Sequence, residues 1–255
     1  MTTPFHLHDK VAVITGSSRG IGRAIAESMA ALGAKVVISS RKLAACEEVV
    51  RDIEQRGGQA TAVSCNISHK AEVEALVHKS RERFGAIDIL VCNAAVNPVY
   101  GPLATLPDDA FDKVINANVK SNLWLCNLVI PEMAERGGGA VIIVSSIAGL
   151  RGSDRIGMYG ISKAADFALV RNLAVEWGPR NIRVNALAPG LVKTDFARAL
   201  WENEELLQRR NAQTPLRRIG LPEEIGPVAA FLASRAASFI TGQIIVADGG
   251  ITAGS

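Results

Sequence analysis

Val11-Ala12-Val13-Ile14-Thr15-Gly16-Ser17-Ser18-Arg19-Gly20-Ile21-Gly22 decides how this 255-residue chain is read. An unbroken apolar run leads into a glycine-rich turn, and the turn opens onto Ile21, Ala24, Ile25, Met29 and Leu32 at helical spacing. Unbroken rather than alternating apolar character marks a strand covered on both faces, as in a parallel sheet. The period that follows marks a helix with one apolar stripe. The unit is strand, tight turn, helix.

Outward from it the same alternation recurs. Short β-branched runs fall at Lys35 to Ser39, Gln59 to Ser64, Ile87 to Asn93, Ala140 to Ser145, Asn181 to Leu187 and Ile244 to Ala247, with helical periods between them, as at Phe111, Val114, Ile115 and Val119. Strands alternating with helices predict a doubly wound α/β sheet of seven mostly parallel strands with right-handed crossovers. No linker, charge block or repeat divides the chain, so one domain over 1–255 is expected. The pattern breaks late. Residues 190–215 insert two short amphipathic stretches carrying Phe196, Leu200, Trp201, Leu206 and Leu207, which suit a helical lid beside a binding crevice.

Composition narrows the class. Apolar residues make up 48% and charged residues 21%, enough for a core and far from a disordered chain. The net charge of +3 comes from 28 basic and 25 acidic residues scattered without a stripe, so no nucleic-acid partner is expected. The longest uncharged stretch, Ile89 to Pro107, is broken by Asn93, Asn97, Pro98, Gly101 and Pro102, which argues against a membrane partner. Met1 to Lys10 lacks the apolar core of a secretory signal. Cys46, Cys65, Cys92 and Cys126 lie far apart with no CxxC and no histidine at zinc spacing, so reduced thiols, a cytoplasmic location and no metal site are expected.

Four groups of residues carry chemistry. The glycine turn Gly16 to Gly22 lets backbone N–H groups and a helix N-terminus approach a pyrophosphate, although a plain tight turn would use glycine too. At the end of the second strand, Ser40-Arg41-Lys42 offers no acidic residue for ribose hydroxyls. Arg41, with Arg19 and Ser40, would instead hold a 2′-phosphate, unless Arg41 and Lys42 merely open a solvated helix. Tyr159 and Lys163, four apart, share a helix face, where an ammonium would favour the phenolate and draw its titration toward working pH. Ser145 and Ser146 end a strand at the carboxyl edge, where a hydroxyl can donate to a substrate oxygen; turns use serines there as well. Asn118 interrupts an apolar stripe, either bending its helix or holding a water.

Together these residues resemble the short-chain dehydrogenase/reductase family from Val11 to Gly250. The likeness rests on the glycine turn, Asn93-Ala94-Ala95, Asn116-Ala117-Asn118-Val119, Ser146 thirteen residues before Tyr159, Tyr159-xxx-Lys163, Pro189-Gly190 and Asp248-Gly249-Gly250. The family pattern Ser-x-x-Gly selects Ser146, followed by Gly149, over Ser145. The resemblance implies a Rossmann domain and a tetrad of Asn118, Ser146, Tyr159 and Lys163. In it Ser146 orients the substrate oxygen and Tyr159 exchanges the proton. Lys163 binds the nicotinamide ribose and lowers the tyrosine pKa, while Asn118 positions a water.

Implied cofactor contacts are Gly16, Ser18, Arg19, Gly20, Ile21, Gly22, Ser40, Arg41, Asn66, Ile67, Asn93, Ala94, Tyr159, Lys163, Pro189, Gly190, Val192 and Thr194, the last toward the carboxamide. The cofactor expected is NADP(H), with NAD as second choice. Ser146, Tyr159, Leu150, Ile156, Leu191, Phe196, Leu200 and Trp201 are the expected substrate contacts, suiting a hydrophobic ketone or aldehyde, although the apolar ones would serve packing equally well. Two departures stand out: Ala95 where the family has Gly, and Asn66 where it often has Asp. The runs Cys92 to Pro98 and Ala188 to Thr194 look like the NADPH-dependent carbonyl and retinal reductases. The family also implies a homotetramer, and the apolar stretch Phe239 to Val246 would serve an interface or simply its own sheet. Two rivals remain. One is a 3-oxoacyl-thioester reductase whose Arg151, Arg155, Arg209 and Arg210 meet an acidic acyl carrier protein; the other is a non-catalytic NADPH-binding sensor.

Overall fold

The structure is a computed structural model and describes residues 3–254. Seven strands form one sheet: β1 (Val11–Thr15), β2 (Lys35–Ser40), β3 (Gln59–Ser64), β4 (Ile89–Cys92), β5 (Gly139–Val144), β6 (Ile182–Pro189) and β7 (Ile244–Ala247). Their order is β3-β2-β1-β4-β5-β6-β7, and every pair is parallel rather than mostly so. The order reverses between β1 and β4, and a crevice opens there at the carboxyl ends. β1 and β4 are buried at every position, as their unbroken apolar sequences require.

Helices cover both faces. On one side pack α1 (Gly20–Ala31), α2 (Leu43–Gln55) and α9 (Pro222–Ala233); on the other α3 (Lys70–Phe84), α5 (Ser121–Glu135) and α6 (Gly157–Trp177). Ile25, Met29 and Ile225 fill the first core, and Leu76, Leu125 and Phe167 the second. Between β4 and α5 lies α4 (Asp108–Ile115), continued by a π-turn over Asn116–Lys120. After β6 come a 3-10 turn (Asp195–Ala197), α7 (Arg198–Trp201) and α8 (Glu204–Gln213), where the lid was expected; neither helix buries a residue.

At the amino edge Asp88 is buried and accepts from Val11 N at 3.0 Å and from Arg136 Nη2 at 2.9 Å. One carboxylate thus joins the start of β1, the start of β4 and the loop before β5. Replacing it strands a buried backbone N–H and a guanidinium. Asp88→Ala should lower unfolding stability by about 1–3 kcal/mol in urea titration, with the far-ultraviolet dichroism of the folded state unchanged.

Candidate active site

The β1–α1 turn is shaped by contact with β4. Gly16 has φ +66°, and a Cβ there would lie 2.9 Å from the Ala94 backbone. A Cβ at Gly22 would overlap the Asn93 amide and the Gly16 carbonyl. Asn93 Nδ2 donates to the carbonyls of Thr15 at 2.9 Å and Gly16 at 3.1 Å, while Thr15 Oγ1 accepts from the N–H groups of Asn93 and Ala94. Asn93 therefore braces the turn. Ser17, next to the predicted Ser18, is the buried hydroxyl that ties the turn to β2, accepting from Ser39 N at 2.9 Å. The first three N–H groups of α1 have no intrahelical partner, its N-cap makes no side-chain bond, and no acidic residue stands in its first turn. This positive, uncapped end faces the cradle the glycines leave open.

The predicted cofactor residues lie around this turn. Arg41 is exposed at the end of β2, and Ser40 Oγ lies 3.1 Å from Cys46 Sγ. Arg19 does not join them; its Nη1 pairs with Asp195 at 3.1 Å, across the crevice. Asn66 turns its Oδ1 to Ser68 N at 3.2 Å, and Ile67 is buried beside it. Gly190 N donates to Ala247 O at 3.0 Å, Val192 is buried and bridges Gly220, and Thr194 sits over Gly20. Pro189 ends β6, and it too is buried.

The predicted tetrad gathers at the ends of β4 and β5. Lys163 is buried, and its Nζ lies 5.7 Å from the Tyr159 ring, so the i, i+4 spacing does place the two on one face of α6. Lys163 Nζ donates to Val144 O at 3.0 Å and pairs with Asp166 Oδ2 at 3.1 Å. Ser146 caps a 3-10 turn, accepting from Ala148 N at 3.1 Å, whereas the buried Ser145 donates to Lys163 O at 2.9 Å. Geometry thus separates the two serines: Ser145 is structural, and Ser146 stays partly open. Asn118 is buried in the π-turn. Its amide donates to Val96 O at 2.9 Å and Ser162 Oγ at 3.0 Å, its Oδ1 accepts from Val96 N at 2.8 Å, and its carbonyl accepts from Asn122 Nδ2 at 2.7 Å.

The apolar candidates divide. Phe196 meets Tyr159 with ring centroids 6.0 Å apart, and Trp201 Nε1 donates to Thr194 O at 2.8 Å. Leu191 and Leu200 are half-buried on the same segment. Leu150 and Ile156 line a cavity of about 390 Å³ with Leu103, Arg151, Ile161 and Ala164, which contains none of the tetrad.

Over residues 16–252 the chain matches the family described as enoyl-(acyl carrier protein) reductase. It is 43% identical over 250 residues to human dehydrogenase/reductase SDR family member 4, covering 98% of this chain and 90% of that one. The chain belongs to the short-chain dehydrogenase/reductase family. Among solved structures of this family, a 7α-hydroxysteroid dehydrogenase complexed with NADH and 7-oxo glycochenodeoxycholic acid is 39% identical, with TM-score 0.94 and 98% coverage of both chains. A gluconate 5-dehydrogenase from Burkholderia cenocepacia, in complex with NADP and tartrate, is 31% identical with TM-score 0.94, over 99% of this chain and 98% of that one. The chain is therefore an oxidoreductase of this family.

Burial pushes the Tyr159 phenol above its ordinary value; Lys163 and Ser146 pull it down, while Asp166 pushes it up again. Lys163 does favour the phenolate, but burial outweighs it. Asp166, Asn122 and Ser162 were all missed from sequence. The available signal was an aspartate three residues after Lys163 and one before Phe167, on the face that α6 turns inward. The turn has the chemistry a pyrophosphate needs, since the amides at the start of α1 are uncapped and no acidic side chain stands in that first turn. Gly22→Ala should weaken binding of NADPH at least about tenfold by fluorescence titration and lower the melting temperature as well, since the added methyl meets Asn93 and the Gly16 carbonyl.

Proposed function

We propose that this protein is an NADP(H)-dependent oxidoreductase that interconverts a ketone or aldehyde with its alcohol, Tyr159 carrying the proton. The observation that carries this reading is Lys163 Nζ, buried 5.7 Å from the Tyr159 ring. Gly16, Ser18, Gly20, Ile21 and Gly22 would hold the pyrophosphate, and Asn66, Ile67, Asn93 and Ala94 the adenosine side. Pro189, Gly190, Val192 and Thr194 would flank the nicotinamide, which when bound supplies or accepts the hydride. Ser146 orients the substrate oxygen, and Tyr159 gives that oxygen a proton in reduction and removes it in oxidation. Lys163 stabilises the phenolate and meets the ribose. Asn118 holds the loop at Val96 against α6.

Residues 190–215 serve as the lid of a single domain over 1–255. Phe196 against Tyr159, with Leu191, Leu200 and Trp201 on the same segment, favours a hydrophobic or aromatic carbonyl substrate. The likeness to SDR family member 4 supports the carbonyl-reductase type. Unpaired thiols at all four cysteines support a cytoplasmic location. Fully exposed Phe239 and half-exposed Val246, beside the edge strand β7, support a homotetramer.

A second reading, reduction of a 3-oxoacyl thioester on a carrier protein, is favoured by one observation. Arg210 is partly buried, and burial together with neighbouring Arg151 and Arg209 lowers its proton affinity. Like charges so grouped would meet an acidic partner.

Three measurements check the proposal. Tyr159→Phe should lower kcat for carbonyl reduction at least about a hundredfold, read by nicotinamide absorbance; activity near the parent's refutes the proton role. With the phenol pushed upward, reduction should stay flat through neutral pH, and alcohol oxidation should climb toward alkaline pH. Arg41→Ala should raise KM for NADPH about tenfold and leave KM for NADH nearly unchanged, since only the phosphate needs the guanidinium.

A further inference from the structure

Asp166 has no part in the proton transfer described so far, yet it lies at its centre. It is wholly buried on α6, with Phe167 and Val170 next to it in the core. A carboxylate there is expensive to desolvate unless it is paired and hydrogen-bonded. Both conditions hold. Its Oδ2 is 3.1 Å from Lys163 Nζ, and its Oδ1 accepts from Asn122 Nδ2 at 3.0 Å. The same Asn122 amide donates to the Asn118 carbonyl at 2.7 Å, within the π-turn. Among the described residues, this is the one ion pair with both side chains out of solvent.

We propose that Asp166 is a positioning residue of the reaction: its carboxylate balances the Lys163 ammonium and fixes it against the Tyr159 ring, and Asn122 ties the pair to Asn118. The inference rests on the reading of Tyr159 as proton carrier. Lys163 and Tyr159 face Asp166 from its own helix, Asn122 from α5, Ser145 from the end of β5 and Cys92 from the end of β4. The Cys92 thiol, held well above its ordinary value by its bond with Cys126 and by burial, stays neutral. Lys163 is therefore the cation that answers Asp166.

A fully buried lysine sheds its proton readily, because burial disfavours the charged form. Asp166 opposes this, and the Lys163 proton is held above its ordinary value despite the burial. Removing the carboxylate takes away its own upward push on the phenol and also the partner that keeps Lys163 charged; the second effect is the larger in this proposal, with Lys163 shedding its proton and Tyr159 losing the charge that favours its phenolate.

The decisive variants are Asp166→Asn and Asp166→Glu, with kcat for alcohol oxidation followed against pH. In Asp166→Asn the ascending limb should move to higher pH by at least about one unit, with kcat near pH 7 down at least about tenfold and KM for the alcohol within about threefold of the parent. Asp166→Glu, which restores the charge, should bring the limb back toward the parent's position. A limb that coincides with the parent's, or moves to lower pH, overturns the proposal, as does failure of Asp166→Glu to shift it back.

A melting-temperature cycle of Lys163→Met, Asp166→Leu and the double variant reads the pairing without activity, and decides alone if Asp166→Asn does not fold. The double variant should melt above Asp166→Leu, since the unpaired buried ammonium is gone. Strict additivity overturns the pairing. Parent-like activity in Tyr159→Phe would instead remove the proton-carrier reading while leaving the cycle's result standing.

Discussion

Seven strands running one way end at one edge, and that constraint governs the rest of the molecule. Parallel pairing buries β1 and β4 on both faces and sends each crossover over the sheet, so the loops that follow β1, β4, β5 and β6 converge. The glycine turn fits because it is pressed against the end of β4, where Asn93 donates from its backbone N–H and its amide to Thr15. A side chain on Gly22 would push those loops apart.

Beside that turn lies a polar network inside an otherwise apolar layer. Lys163, Asp166, Asn118, Asn122, Ser145 and Ser162 are all buried. Buried polar groups are tolerated when each finds partners, and a satisfied network fixes its members more narrowly than apolar packing does. The π-turn at Asn118 belongs to it: the extra residue turns the amide toward Val96 and Ser162, and the freed backbone carbonyl is met by Asn122. π-Turns within helices are often found at functional sites. Tyr159 is thereby set beside a lysine that cannot wander.

Much of this was legible in the residues. All seven strands fall where the unbroken apolar runs predict, with β6 continuing two residues past Leu187 to Pro189. Tyr159, Lys163 and Ser146 meet because helical spacing and the carboxyl-edge rule are local and robust. Long-range pairings were not legible. Arg19 finds Asp195, far along the chain, and no local pattern announces that contact. Asp166 was passed over because a charged residue on a helix reads as solvated; only the fold reveals that Lys163, one turn away, is buried with it. Leu150 and Ile156 flank Ser146 in sequence, but the cavity they line meets the face of α6 that carries Gly157, Gly160, Ile161 and Ala164, away from Tyr159 and Lys163.

In the proposed reaction Tyr159 carries the proton for a carbonyl whose hydride a bound nicotinamide would supply. The most direct test supplies NADPH deuterated at the transferring position to the parent protein and to Tyr159→Phe with an aromatic ketone, and reads the product alcohol by mass spectrometry. The parent should place one deuterium on the carbinol carbon, and the variant almost none in the same time. Unlabelled alcohol from the parent, or equal labelling by both proteins, would contradict it.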